Sequence, residues 1–218
     1  MLDVEAVKEE FESATPFARA VVPEFIPHPG AYAGLVGEVR KMIGFEPKSN
    51  DLYDFLQSDE LANLNTASGY VWLTKLRDAI YAPDFLQAMT AVTGIEFDPT
   101  CVDMHALCFQ DGDYLALHDD NMPGRRVAFI LYLVDDDWSE TDGGALELYT
   151  ATGEGTPDLA PVPCPVASIL PAANTFSFFA VSHTSYHAVA QVTGGRPRLS
   201  VSGWLHGRSL TPKLPRPA

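Results

Sequence analysis

Between apolar "YLAL" and apolar "VAFILYLV", within residues 113–138, the chain places His118, Asp119 and Asp120 in the triplet "HDD". Side chains on a strand alternate faces, so a strand through this triplet points His118 and Asp120 the same way and Asp119 the other. An imidazole and a carboxylate on one wall of a barrel chelate a single ion once a third ligand arrives from elsewhere. Two imidazoles and one carboxylate on one face of an octahedron hold non-haem Fe(II) and leave positions open for substrate and oxygen. The plain alternative is a solvated strand-end histidine paired with a neighbouring acid.

The third ligand has two candidates in "SHTSYHAVAQVTGGRPRLSVSGWLHG", residues 182–207. His187 opens a β-type run and is preferred. His183 sits in the polar "SHTS" turn and reads as a loop residue. Arg198 follows inside "RLSVSGW", a strand that otherwise reads as core. A guanidinium buried without an anion is prohibitively costly. Its partner is either an interior acid or a ligand carboxylate, whose geometry the guanidinium fork matches. A dicarboxylic co-substrate would meet the metal through a 2-oxo acid end and Arg198 through its far carboxylate.

The elements that must position these residues fall into two halves. Helical spacing runs through "LDVEAVKEEFESA", through residues 29–45 (Pro29 first, with Leu35, Val36, Val39 and Met42 along one side), and through "GYVWLTKLRDAIY" and residues 83–94, from Pro83 to Gly94. "FARAVVPEFIP" is a short strand broken by prolines. From residue 100 short β-type runs follow one another: "CVDMHALCFQ", "YLALHDD", "RVAFILYLV", "ALELYT", "SIL", "TFSFFAV", "HAVAQV" and "RLSVSGWLHG". Turn signals such as "DGD", "MPGR", "TDGG" and "TGG" separate them. This texture predicts helices packed against a sandwich or jelly-roll barrel. The Pro-rich stretch "ATGEGTPDLAPVPCP" is expected as a surface loop or edge extension.

Composition narrows the class. The 218 residues carry a formal net charge of −15, which disfavours bare nucleic acid and anionic membranes and suits a basic protein partner, or serves solubility alone. The longest apolar run, residues 127–134, is far too short to span a membrane. Three cysteines without a CxxC pair fit a reducing compartment, and the acidic N-terminus carries no apolar signal core. The expected compartment is cytoplasmic or nuclear.

Taken together, "SNDLYDFLQSDELANL", "LHDDNMPGRRVAFILYLVDDDW", "GGALELY", "FFAVSHTSYHAV" and "RLSVSGWLHG" resemble the iron(II)- and 2-oxoglutarate-dependent prolyl hydroxylases. The resemblance is closest to the branch that hydroxylates a proline of a small-subunit ribosomal protein, and it runs from about residue 45 to 210. It implies an α+β chain: a double-stranded β-helix (jelly-roll, cupin-like) barrel with N-terminal supporting helices. One catalytic domain covers 1–210, followed by a flexible tail over 211–218. It implies Fe(II) with 2-oxoglutarate and O2 as co-substrates, ascorbate in support, and prolyl 3-hydroxylation of a basic, ribosomal protein.

Carried over residue by residue, His118, Asp120 and His187 resemble the metal ligands, and Arg198 the grip on the far carboxylate of 2-oxoglutarate. Tyr132 resembles the tyrosine that donates its hydroxyl to that carboxylate, a plain core aromatic being the alternative. Trp204 resembles a co-substrate-binding aromatic on the pocket floor, with core packing as the alternative. Phe109 stands where close relatives present a tyrosine. Asp119 is expected to orient the strand or to support the ligands from outside; Arg125 and Arg126 are assigned no role. Eukaryotic members carry a second, non-catalytic barrel, so a chain ending at "LPRPA" is expected to be a single-domain homologue or a catalytic half. Two rival functions remain: the same chemistry on another peptidyl or free amino-acid substrate, and a non-catalytic β-barrel interaction module.

Overall fold

A computed structural model of the chain describes residues 3–64, 69–152 and 160–208. The expected tail at 211–218 and part of the Pro-rich loop lie outside the described residues. In chain order the elements are α1 (Val4–Ser13), β1 (Arg19–Val22), α2 (Pro29–Arg40), β2 (Glu46–Asn50), β3 (Tyr53–Gln57), α3 (Val71–Tyr81) and α4 (Pro83–Thr93). The β-rich half follows with β4 (Phe97–Phe109), β5 (Tyr114–His118), β6 (Arg125–Tyr132), β7 (Leu146–Leu148), β8 (Ala151–Thr152), β9 (Ala160–Pro161), β10 (Ala167–Ile169), β11 (Phe176–Ala180), β12 (His187–Val189) and β13 (Arg198–Gly207).

The helices begin and stop where local chemistry directs. Asp3 caps α1, its side chain accepting from the backbone N–H of Ala6. Proline occupies the first turn of α2 and α4, where its missing N–H costs nothing. Gly94 ends α4 at φ +70°, its N–H donating to Thr90 O. Glu38 on α2 caps α3 from outside, accepting from the N–H groups of Trp72 and Leu73 at 2.9 Å. The helix expected over 29–45 ends at Arg40, so Met42 packs on the core from beyond the helix.

Antiparallel pairing runs β1-β11-β6-β13-β4-β3-β5-β12-β7-β10, with β2 hanging on β3, and the sheet curls into the expected jelly-roll with helices on its outer face. Alternation along the long strands divides the molecule. Val102, Met104 and Ala106 of β4, Val127, Phe129 and Leu131 of β6, and Leu199, Val201 and Leu205 of β13 meet Leu35, Leu73, Ile80 and Met89 of the helices in one core. Each large apolar side chain so buried contributes about 1.5–3 kcal/mol. The intervening residues therefore face the hollow of the sheet: His105, Leu107 and Phe109, then Ile130 and Tyr132, then Arg198, Ser200, Ser202 and Trp204. Every polar candidate on these strands lies on the hollow face because its neighbours are committed to the helices.

The β2–β3 hairpin was not foreseen. It wedges β3 between β4 and β5 and leaves β2 at an edge. The sequence "EPKSN" of β2 shows no apolar alternation because its residues are mostly exposed, and a proline and a lysine are what an exposed edge tolerates. Asn50 turns the corner, its side-chain oxygen accepting from the N–H groups of Leu52 and Tyr53.

Candidate metal and co-substrate site

Strand register brings two histidines together, and a turn brings the acid. His118 is the last residue of β5 and His187 the first of β12; they are direct cross-strand partners with ring centroids 4.1 Å apart. Asp120 lies two residues past the end of β5 with φ +60°, in the left-handed region. Strand alternation is therefore not what turns His118 and Asp120 the same way. The tight turn folds Asp120 back, and the Asp119 side chain supports it by accepting from the N–H of Asn121. Ser185 Oγ donates to Asp119 O at 2.8 Å and fastens the turn to the loop that carries His187.

The three side chains converge. His118 Nε2 lies 3.6 Å from Asp120 Oδ1 and His187 Nε2 lies 3.5 Å from Asp120 Oδ2. One ligand atom from each residue falls within 4.8 Å of the others. Metal–ligand bonds of about 2.1 Å place adjacent ligands roughly 3 Å apart, so the set fits one small divalent ion after slight tightening. Both rings direct Nδ1 at backbone carbonyls, Ala116 O and Ser185 O, each at 2.8 Å. That leaves both Nε2 atoms facing the shared centre with the tautomer set from outside. Burial, reinforced by His187, lowers the His118 pKa to about 4, which keeps it a neutral donor near pH 7. Burial works against the Asp120 charge but is outweighed by His187, His118 and Trp204, which hold its pKa down to about 2. His183 is exposed and outside the cluster.

Arg198 occupies the deep end and is 1% exposed. Its Nε donates to Gly144 O at 2.7 Å, and its Nη2 is buried with no hydrogen-bond partner. The interior acid that would satisfy it is absent among the described residues. The Tyr132 hydroxyl is equally buried and equally without a partner, its ring centroid 5.0 Å from the guanidinium carbon. Burial pushes the Arg198 pKa down and the Tyr132 pKa up, each away from its charged form. Two orphaned donors side by side in an apolar shell are unstable without an anion that accepts from both. A carboxylate meets that need. Phe109 supplies a ring 5.2 Å from the guanidinium and no hydroxyl.

Gly144 makes this approach possible. At φ +68° its backbone comes so close that a Cβ would lie 2.6 Å from Arg198 Cδ.

A cavity of about 520 Å³ opens above, with His118, Asp120 and His187 in its wall. Leu107, Leu115, Ile130 and Val189 line it and also pack against Phe109 and Tyr132, so the cationic end lies one layer beneath. At the mouth stand Leu52, Leu117 and Met122, exposed by 61%, 36% and 57%.

Phe109 and Tyr132 pack one layer beneath the cavity, while Trp204 lines it at the opposite end of the inner face of β13 from Arg198, level with the ligands. Its Nε1 donates to Asp120 Oδ2 at 2.9 Å. Arg125 lies over its ring at 3.4 Å and brings Nη1 to 3.6 Å from Asp120 Oδ1. Sequence reasoning gave Arg125 no part in the site; a charged residue at the start of β6 carries no signal until register sets it against Trp204. Asp103 and His206 were missed for the same reason, and they are hydrogen-bonded at 2.9 Å beside Arg125.

Residues 104–206, the span holding these side chains apart from Leu52 and Asp103, match the family described as the 2OG-Fe(II) oxygenase superfamily. The chain is 40% identical over 198 residues to a Xenopus laevis protein named prolyl 3-hydroxylase OGFOD1, covering 90% of this chain and 36% of that one. It thus spans about a third of the length of the curated relatives it matches. A Pseudomonas putida prolyl-4-hydroxylase superposes with a TM-score of 0.71 at 18% identity, covering 94% of this chain and 100% of that one. A prolyl hydroxylase from Trichoplax adhaerens, solved with a hypoxia inducible factor peptide fragment, gives 0.68 at 13% identity, over 94% of this chain and 89% of that one. With a ligand set suited to iron and a buried cation suited to a diacid, residues 104–206 carry a 2OG-Fe(II) oxygenase domain.

Proposed function

We propose that the protein is an Fe(II)- and 2-oxoglutarate-dependent dioxygenase that hydroxylates a prolyl residue of a basic protein, a small-subunit ribosomal protein, at carbon 3. Its catalytic domain is one unit over residues 1–210. When bound, iron with 2-oxoglutarate and O2 supplies the oxidising chemistry that places hydroxyl on an unactivated C–H bond.

The chain's own part is placement. His118, Asp120 and His187 would hold the metal beside the open cavity. Arg198 and Tyr132 would take the far carboxylate of the co-substrate and so set its register. Leu107, Leu115, Ile130 and Val189 form dry walls between the two ends and exclude water from the reacting centre.

The observation that carries this reading is the orphaned Arg198–Tyr132 pair beneath the triad. A retired barrel kept only for interactions has no physical use for a buried unpaired guanidinium. Two features favour a polypeptide over a free amino acid: the cavity mouth is rimmed by exposed apolar side chains, and the body carries net charge −15. The relatives' printed names support prolyl hydroxylation.

The test is 2-oxoglutarate turnover to succinate with Fe(II), in the presence of a proline-containing ribosomal peptide, of its alanine counterpart, or of free proline. The expected result is succinate coupled to the gain of one oxygen atom by the proline peptide alone. Turnover unchanged by His187→Ala, or no turnover with any peptide, contradicts the proposal.

A further inference from the structure

Of the three metal-ligand candidates, Asp120 has the least support from its own strand. The two imidazoles are clamped by backbone carbonyls through Nδ1, but Asp120 sits at φ +60° in a turn that continues into exposed Asn121 and Met122. Something outside the turn must aim its carboxylate. We infer that Trp204 and Arg125 are positioning residues that lock the Asp120 carboxylate in its metal-binding orientation, so that metal affinity depends on a tryptophan N–H and a stacked guanidinium. This rests on the assignment of Asp120 as a ligand under the proposed function.

Each carboxylate oxygen has its own neighbour. Oδ2 accepts from Trp204 Nε1 at 2.9 Å, and Oδ1 lies 3.6 Å from Arg125 Nη1. A carboxylate restrained at both oxygens keeps one rotation about its Cβ–Cγ bond. The two restraints also restrain each other, because the guanidinium lies flat over the indole at 3.4 Å. The indole is seated by register: Trp204 pairs across β13 with Ala128 on β6 and Asp103 on β4, and an alanine on one side leaves room for the ring. Arg125 is steadied in turn by Asp103, 4.0 Å from its Nε, and Asp103 by His206 at 2.9 Å. Two residues from two strands thus meet one carboxylate, and Asp103 and His206 stand behind Arg125. Outer partners of this kind tune metal affinity by about 10–100-fold.

The experiment titrates Co(II) into metal-free wild type, Trp204→Phe and Arg125→Gln, following the visible Co(II) spectrum and, separately, the melting temperature without metal. Phenylalanine keeps a ring for Arg125 to stack on and removes the N–H together with part of the indole, a packing loss that the metal-free melting temperature reads separately. The expected result is a Kd about 10–100-fold weaker for both variants, with an altered Co(II) spectrum and a metal-free melting temperature close to wild type. Wild-type affinity and spectrum in Trp204→Phe and in Arg125→Gln overturn the inference. A wild-type protein that binds no Co(II) overturns instead the metal reading on which it rests.

Discussion

His118 and His187 are cross-strand neighbours, the final residue of β5 against the first of β12, and their register slips just beyond, between His187 and Val189. An irregularity at that point re-aims side chains beside a site rather than merely interrupting a ladder. The shared centre of the two rings is therefore a property of pairing register, and each ring faces it with Nε2 because Nδ1 is committed to a carbonyl.

Removing either ring should release the metal while sparing the fold. His187→Ala is expected to weaken divalent-metal binding by more than the roughly 10–100-fold typical of an outer partner, and turnover should fall in parallel. Metal content after dialysis, measured beside a melting curve, checks this. Full metal occupancy in the variant would remove His187 from the ligand set.

Arg198 makes an opposite pair of predictions. Arg198→Met removes a buried cation that has no anionic partner, so the ligand-free protein should melt no lower than wild type. The KM for 2-oxoglutarate should rise by about 10–100-fold, the value of a charge-assisted hydrogen bond. Melting curves and initial rates on the same preparation decide both; a marked loss of stability with unchanged KM would make Arg198 structural.

Gly144→Ala tests the close approach beneath that guanidinium. A side chain at φ +68° costs about 1–3 kcal/mol, and the added Cβ collides with Arg198 Cδ. Chemical denaturation should show the loss of stability, and co-substrate affinity should fall with it. Gly112→Ala is the control: it carries the same positive-φ strain, but open space surrounds the added Cβ, so affinity should hold.

His105, on the inner face of β4, gives a pH dependence with a definite sign. Its Nδ1 faces Ser58 O at 3.1 Å and its Nε2 faces Glu60 Oε2 at 3.2 Å, two acceptors that together favour the doubly protonated ring. Burial opposes that charge, but Glu60 outweighs it and raises the His105 pKa above 6.5. The Glu60 carboxyl, despite burial, is held below 4.5 by His105 and by backbone N–H donors. A raised histidine stabilises fully below its unfolded pKa and less as pH rises through the folded one; a lowered carboxyl stabilises above its unfolded pKa and less as pH falls through its own. The pair is thus worth most between 4.5 and 6.5. Urea midpoints of wild type and His105→Gln should differ most in that window and converge above it; a gap that widens with rising pH contradicts the assignment.

The candidate site was legible in unequal parts. His118, Asp120, His187 and Arg198 stand out because polar residues interrupt apolar runs, a pattern visible without coordinates. The reason for their convergence was only half visible: Asp120 is returned by a left-handed turn, not by alternation. Arg198 was expected to need an anion, and whether that anion belonged to the chain depended on every side chain around it. Trp204 and Arg125 carry no local signal, since their meeting depends on the register of β13 against β6. The β2–β3 hairpin escaped notice because an exposed, polar edge strand lacks the apolar period by which strands announce themselves.

Titrating 2-oxoglutarate calorimetrically into the protein, with and without Mn(II) and with Arg198→Met in parallel, tests the central claim most directly. One co-substrate per chain is expected for metal-loaded wild type, with a large loss of affinity when either the metal or the guanidinium is removed. Binding of equal strength in all three preparations would contradict that claim.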